Sequence, residues 1–355
     1  MLKQVQHDGM AVFVRLYPLI RPLVFALDAE RAHAMTIGAL KLMPVRRPPD
    51  FPTSLKTRVA GVDFDTPVGL AAGFDKDAEV PAQMLSLGFG FVEVGTLTPQ
   101  PQAGNLRPRL FRLKEDRAVI NRLGFNNHGQ PAAFKRLTEC SHMHRVIGVN
   151  VGANKDSRDW VGDYVRGVQA MAPVARYLTI NISSPNTPGL RGLQDGGALE
   201  ELLAAVRQAD VGKPIFLKVA PDLADGDPQR IVRAAIDHEI DAIIVSNTTV
   251  SRPSLKSCFA SETGGLSGAP LKRLALDALR RFRRAGGGEI PLIGVGGIAS
   301  AGDAWERIRA GASLVQLYTA MVYQGPGIAR RIALGLADRL KREGFANIAD
   351  AVGSE

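Results

Sequence analysis

Residues 177–189 read YLTINISSPNTPG. A short apolar and β-branched run breaks off into Asn181, Ser183, Ser184, Asn186 and Thr187, and a Pro-Gly pair follows. Continuous apolar character over so few residues marks a strand buried on both faces of a parallel sheet. Its polar end is where such a strand delivers side chains to a ligand. No histidine is near Ser184 in sequence, so nothing local would activate it as a nucleophile.

The pattern recurs along the chain. VGLAAG (68–73), FVEVGT (91–96), VIGVNVG (146–152), PIFLKVA (214–220), AIIVSNT (242–248), PLIGVGG (291–297) and LVQLYTA (314–320) are all short apolar runs, most of them ending in Gly, Asn, Thr or Ser. Amphipathic stretches such as 198–208, 229–238 and 301–310 lie between them. Eight such units over roughly 250 residues point to an α/β fold, a (β/α)8 barrel. Strand count does not prove closure, and an open doubly wound sheet stays as the alternative.

The pattern divides the chain into a helical unit over 1–50, a barrel over 51–345 and a C-terminal tail over 346–355. In the first, Phe13, Leu16, Tyr17, Ile20, Val24 and Leu27 follow helical spacing, and Asp28 is placed to cap a second helix that contains His33. The plain reading is a helix packed under the barrel floor. Two connections, 97–145 and 249–290, are too long for ordinary loops and are expected to be lids over the face where barrel chemistry sits.

Two cysteines in 355 residues, Cys140 and Cys258, stand far apart without a CxxC. That argues against a disulfide framework and a cysteine-ligated iron–sulfur cluster. The net charge of +9 is gathered in patches: +3 over residues 1–50, +4 over 105–122 and +5 over 272–284. Nucleic acid, an anionic membrane or a phosphorylated cofactor would each answer such patches. The run over 272–284 has helical spacing without interleaved aromatic residues, which fits a solvated helix face better than a nucleic-acid surface. Arg15, Pro18, Arg21 and Pro22 interrupt the apolar N-terminal stretch, so neither a secretory signal nor a spanning helix is expected there. Met10 is an alternative start to Met1. Cys140, His142 and His144 alternate in CSHMH, but no fourth ligand follows and no metal is expected.

Polar residues crowd the strand ends: Lys76, Thr96, Asn150, Asn181, Ser184, Asn186, Lys218, Ser246, Asn247 and Thr248. Asparagine both donates and accepts, so a pocket lined with it suits a ligand of alternating C=O and N–H groups, such as a pyrimidinedione. GVGGIAS (294–300) carries Gly294, Gly296 and Ala299 at the spacing of a dinucleotide fingerprint, yet no acid follows in LVQLYTAMVYQG (314–325) to hold a ribose. A phosphate site at the last two strands survives that test, and FMN is the economical cofactor.

With these residues in place, the chain resembles the dihydroorotate dehydrogenases, in particular their membrane-associated, quinone-reducing class. The resemblance is carried by AAGFDK (71–76), GTLTPQPQAGNLRPRLFRL (95–113), NRLGFNNHG (121–129), GVNVGANK (148–155), NISSPNTPGLRGLQ (181–194), LKVAPD (217–222), SNTT (246–249), ETGGLSGAPL (262–271) and GVGGI (294–298). It implies oxidation of dihydroorotate to orotate in pyrimidine biosynthesis, with hydride passed to FMN and electrons to a membrane quinone. By the same resemblance FMN is held by Ala72, Gly73, Phe74, Asp75, Lys76, Thr96, Asn150, Asn181, Lys218, Ser246, Gly268, Gly297, Tyr318 and Thr319. Substrate is gripped by Lys76, Asn121, Arg122, Leu123, Gly124, Phe125, Asn181, Asn186, Asn247 and Thr248.

Ser184 stands where soluble classes of the family have Cys, and the resemblance makes it the base that takes the C5 proton. Ser246 stands where the family often has Thr and keeps the hydroxyl. His33 and Arg112 become polar contacts at the mouth of a quinone tunnel built by the N-terminal unit. The chain is then expected on the cytoplasmic side of a bacterial inner membrane, held by its anionic surface, as a monomer without an iron–sulfur partner subunit or nucleic acid. Another FMN barrel, such as a tRNA-dihydrouridine synthase-like enzyme, is the alternative.

Overall fold

Eight parallel strands close into a barrel, running β3 (Val68–Leu70), β4 (Phe91–Leu97), β7 (Ile147–Val151), β8 (Tyr177–Asn181), β9 (Ile215–Val219), β10 (Ala242–Val245), β12 (Leu292–Val295) and β13 (Ala312–Leu317), which pairs back to β3. These are the eight apolar runs, and closure removes the open-sheet alternative. The computed structural model describes residues 17–140, 145–187 and 189–355. Met10, Phe13, Arg15, Leu16, His142, His144 and Pro188 lie outside the described residues.

Aromatic rings fill the bottom of the barrel. Phe91 and Tyr177 open β4 and β8, and Phe216 follows on β9, with Tyr177 stacked on Phe216 at 4.4 Å and edge-on to Phe91 at 6.4 Å. The hairpin of β1 (Thr57–Val59) and β2 (Val62–Phe64) closes the floor by laying Phe64 against Phe91 at 5.0 Å. Truncating one such ring to Ala costs about 3–5 kcal/mol. With the lower barrel packed this way, the polar strand ends are left to face the opposite opening.

The two long connections are not simple lids. The first contains β5 (Leu110–Leu113), β6 (Ala118–Asn121) and the helix Gln130–Cys140, and the second contains β11 (Gly265–Gly268) and the helix Lys272–Gly286. β11 pairs with β6 and completes a three-stranded antiparallel sheet. Runs of four residues show no readable period, and the pairing joins segments distant in sequence, so the sheet was invisible in the pattern. The basic helix Lys272–Gly286 buries Ala275, Leu279 and Phe282 and pairs Arg280 with Glu355. It is a half-buried barrel helix.

Residues 17–26 are helical, and Asp28 caps the next helix, Ala29–Lys41, by accepting from Glu30 N at 3.1 Å and Arg31 N at 2.9 Å. The pair does not lie under the floor. Arg112 on β5 donates to the Val24 and Leu27 carbonyls, and Glu30 pairs with the buried Arg109 at 2.7 Å, so the unit is fastened beside the cap sheet. Periodicity revealed its apolar face but not what covers it. The expected tail also packs back, with Ile348 donating to the Ser54 carbonyl at 2.8 Å and buried with Ala351. Among the described residues no helix is long and apolar enough to cross a membrane.

Candidate functional site

One continuous cavity of about 460 Å³ joins the C-terminal strand ends to the N-terminal helices. Its inner part is polar, with Lys76, Asn121, Asn181, Ser184, Lys218 and Asn247 on the wall. Its outer part is apolar, with Ile20, Val24, Leu27, Met35 and Leu40. Parallel register sets Asn181 directly beside Lys218 across β8 and β9.

A buried carboxylate orders the amides. Glu93, on the inward face of β4, accepts from Asn150 Nδ2 at 2.8 Å, Gln316 Nε2 at 2.8 Å and the Tyr177 hydroxyl at 3.1 Å. A carboxylate only accepts, so Asn150 must turn Nδ2 down and Oδ1 up. That Oδ1 accepts from Thr96 Oγ1 at 2.5 Å and Asn181 Nδ2 at 3.2 Å. Asn181 Oδ1 in turn accepts from Ser183 Oγ at 2.9 Å and Asn247 Nδ2 at 3.4 Å. The direction in which each amide faces the cavity therefore follows from one acid at the barrel's middle.

Ser184 is buried, and its Oγ accepts from Asn186 N at 3.2 Å. Among the described residues no carboxylate or imidazole bonds to it. Lys76 donates to Asn126 Oδ1, and burial lowers its ammonium to a pKa of about 7, helped by the nearby Arg109 charge. Burial also lowers Lys218, against a partial opposing pull from Glu93. Either lysine would regain its charge beside an anion. His33 packs edge-on to Phe74 at 5.3 Å, and burial together with the Lys76 charge depresses it to about 4, so it stays neutral near pH 7.

At the far wall, the turn after β12 and the end of β11 approach other backbones closely. A Cβ on Gly297 (φ +71) would sit 2.3 Å from Lys272 Cα, and one on Gly268 (φ +97) would sit 2.4 Å from the Arg117 carbonyl oxygen. Only glycine fits either place. Thr319 Oγ1 donates to Ser267 Oγ at 2.8 Å along the same wall. This is a cradle of backbone amides and hydroxyls, of the kind that receives a phosphate. The helix expected to aid it, Thr319–Gln324, has six residues.

Nearly all residues the resemblance assigned to substrate, cofactor or quinone line this cavity, including His33 and Arg112 at its outer end. Three do not. Asp75 points into its own loop, accepting from Glu79 N and Val80 N at 2.8 Å each, and burial raises its pKa to about 6. Asn150 lies beneath the wall in the amide relay. Arg122 turns away to Glu262 at 2.6 Å and over the Phe111 ring at 4.6 Å. Missed from the sequence were Glu93, Asn105 and Asn126. Asn105 Nδ2 holds the Asn186 carbonyl at 3.0 Å. A lone acid in FVEVGT was the only available hint of Glu93. Among the described residues no cluster of His, Cys, Asp or Glu is arranged to hold a metal.

The sequence model of the dihydroorotate dehydrogenase family matches residues 54–340. Dihydroorotate dehydrogenase (quinone) of Erythrobacter litoralis is 62% identical over 342 residues, covering 96% of this chain and all of that protein. The protein of the same name from Sphingopyxis alaskensis is 59% identical, with 97% and 99% covered. Among solved structures, ligand-free dihydroorotate dehydrogenase of Eimeria tenella superposes with a TM-score of 0.88 at 41% identity, over 92% of this chain and 99% of that one. The same enzyme in complex with ferulenol gives 0.87 at 41% identity, over 92% and 95%.

Proposed function

The chain belongs to the dihydroorotate dehydrogenase family, and from that premise we propose how its own residues divide the work. It oxidises dihydroorotate to orotate in pyrimidine biosynthesis and passes the electrons to a quinone. The observation that carries the reading is the single cavity with a polar inner end and an apolar outer end. A charged pyrimidine suits the first and a quinone ring suits the second.

The cofactor is FMN. The glycine cradle at Gly268 and Gly297 fits one phosphate, and the amides at Asn181 and Asn247 fit the edge of a polar ring system. Bound there, the flavin supplies a two-electron carrier between substrate and quinone. Lys218 stands beside Asn181 and would favour negative charge on the reduced ring.

Lys76 pairs with the substrate carboxylate, and Asn121, Asn186 and Asn247 hold the pyrimidine carbonyls and N–H groups. Ser184 Oγ takes the C5 proton. A serine hydroxyl is a weak base, so the charge developing on the substrate must be stabilised while the proton moves. Lys76 and the oriented amides supply that. The cap sheet and Asn186 exclude bulk water from the inner end.

The helices over 17–41 are the face the protein sets against a membrane. Leu19, Leu23, Met35 and Leu42 are exposed, at 73%, 73%, 62% and 88%, next to the apolar mouth. A quinone can then pass from bilayer to cavity without crossing water. The protein works as a monomer at the inner membrane. The decisive experiment mixes purified protein with dihydroorotate without oxygen. Flavin absorbance should bleach, and a short-chain ubiquinone should restore it. A protein that stays yellow with dihydroorotate would sink the reading.

A further inference from the structure

Arg307, on the helix Ala301–Arg309, is sealed from solvent over its whole side chain. Its Nη2 donates to two backbone carbonyls, Lys272 at 2.5 Å and Gly296 at 3.0 Å. Its Nε and Nη1 have no partner among the described residues. Neither neighbouring acid bonds to it directly, since Asp303 and Glu306 both turn to Lys272, at 2.6 and 3.1 Å, although their charges still act on Arg307 from a distance. A guanidinium stays charged at any ordinary pH, and its planar fork holds backbone carbonyls in a fixed direction.

The two carbonyls say what lies close by. Gly296 and Gly297 form the turn after β12, and Lys272 begins the helix packed against that turn. In a trans peptide the C=O and the next N–H point in opposite directions. With the Gly296 carbonyl drawn back to Arg307, the Gly297 N–H faces away from it, and Gly297 lines the cavity. That N–H has no backbone acceptor among the described residues. The positive end of a six-residue helix offers little field by comparison.

We propose that Arg307 is the positioning residue of the phosphate cradle, and that by turning the Gly297 N–H toward the cavity it makes the site choose a phosphorylated flavin over the same flavin without phosphate. The inference rests on the FMN reading above. Arg307 fixes the Gly296–Gly297 turn from behind and acts through it, without touching the ligand. Arg117 also lines the cavity, near Gly268, but it is exposed and screened by solvent.

The test compares the affinities of full-length apoprotein for FMN and for riboflavin by quenching of flavin fluorescence. Wild type, Arg307→Gln, Arg307→Lys and Arg117→Gln are measured. Wild type should prefer FMN. In Arg307→Gln the FMN-to-riboflavin preference should fall by about tenfold or more, as expected when a hydrogen bond to the charged phosphate is misdirected, while riboflavin affinity holds within about threefold. A general loss of packing would weaken both flavins alike and leave the ratio unmoved. Arg307→Lys keeps the charge with fewer donors and should fall between the two. If Arg307→Gln does not fold, Arg307→Lys decides in its place, and a ratio equal to wild type overturns the proposal. A folded Arg307→Gln with the wild-type ratio overturns it as well, as does a collapse seen in Arg117→Gln alone. A wild type that binds both flavins equally overturns the FMN reading itself.

Discussion

Asn150 gives its Nδ2 hydrogen to Glu93 at 2.8 Å, in the sealed middle of the barrel. Everything above Asn150 inherits its orientation from that bond. Replacing Glu93 by Leu strands three buried donors, on Asn150, Tyr177 and Gln316, and an unpaired buried polar group costs about 1–3 kcal/mol. Replacing it by Gln is different. The Tyr177 hydroxyl can rotate, and Gln316 has a free Oε1 that an amide flip would turn to the new N–H. The Gln316 flip and the Tyr177 rotation leave the oxygen of the introduced amide free to keep the bond from Asn150. Glu93→Gln should therefore unfold in urea within about 2 kcal/mol of wild type and stay yellow, whereas Glu93→Leu should lose about 3 kcal/mol or more. Equal losses in the two variants would mean that the acid does not set the orientation.

Ser184→Ala should leave flavin bound and substrate affinity nearly unchanged. Losing a positioned general base costs about 10²–10⁴ in rate, so stopped-flow reduction of the flavin by dihydroorotate should slow within that range. Ser184→Cys should keep part of the activity. A normal rate in Ser184→Ala would assign the proton to another group.

The barrel was legible because its eight strands are buried on both faces and therefore read as unbroken apolar runs. The polar end of the cavity was legible because amides and lysines gather at the strand ends. What stayed hidden depended on contacts between distant segments. FVEVGT shows an acid at position 93, but only closure of the barrel brings Asn150, Tyr177 and Gln316 onto it. GLSG and AVIN are too short to announce a sheet, and they pair only after the chain has travelled halfway round the barrel. Arg307 sits in an ordinary amphipathic helix whose sequence says nothing of the carbonyls it reaches.

Lys76 predicts a pH dependence. Its ammonium, lowered by burial to about 7, lies well below the ordinary lysine value. If protonated Lys76 pairs with the substrate carboxylate, as proposed, kcat/KM for dihydroorotate should fall as pH rises above about 7 in the free enzyme. His33 is neutral in that range and adds nothing. For stability the sign is opposite. Unfolded chains hold the lysine proton up to the ordinary value, so the apoprotein should gain stability as pH rises from about 7 toward that value and lose it again as pH falls back through 7. Lys76→Met should flatten both profiles and leave flavin bound, and a Lys76→Met profile identical to wild type would remove Lys76 from substrate binding. Lys218→Ala should instead reduce flavin occupancy.

Separating the two half-reactions at the N-terminal unit needs point variants, for a reason visible in the structure. Deleting residues 1–50 would remove Glu30, the partner of the buried Arg109, whose Nη1 also holds the Ala103 and Asn105 carbonyls. Asn105 in turn holds Asn186, so truncation would reach the substrate end. Leu19→Glu combined with Leu23→Glu leaves those contacts alone and places two charges on the exposed apolar face. Reduction of the flavin by dihydroorotate should stay within about twofold of wild type, as surface changes usually cost under about 0.5 kcal/mol. Reoxidation by a long-tailed quinone in anionic vesicles should fall by about tenfold or more, because buried carboxylates oppose insertion into the interface. A short soluble quinone should be used normally. Binding of the wild type to such vesicles should weaken but not vanish in high salt, since only its ionic part is screened. If the double variant reoxidises with the long-tailed quinone as fast as wild type, the helices over 17–41 are not the membrane face.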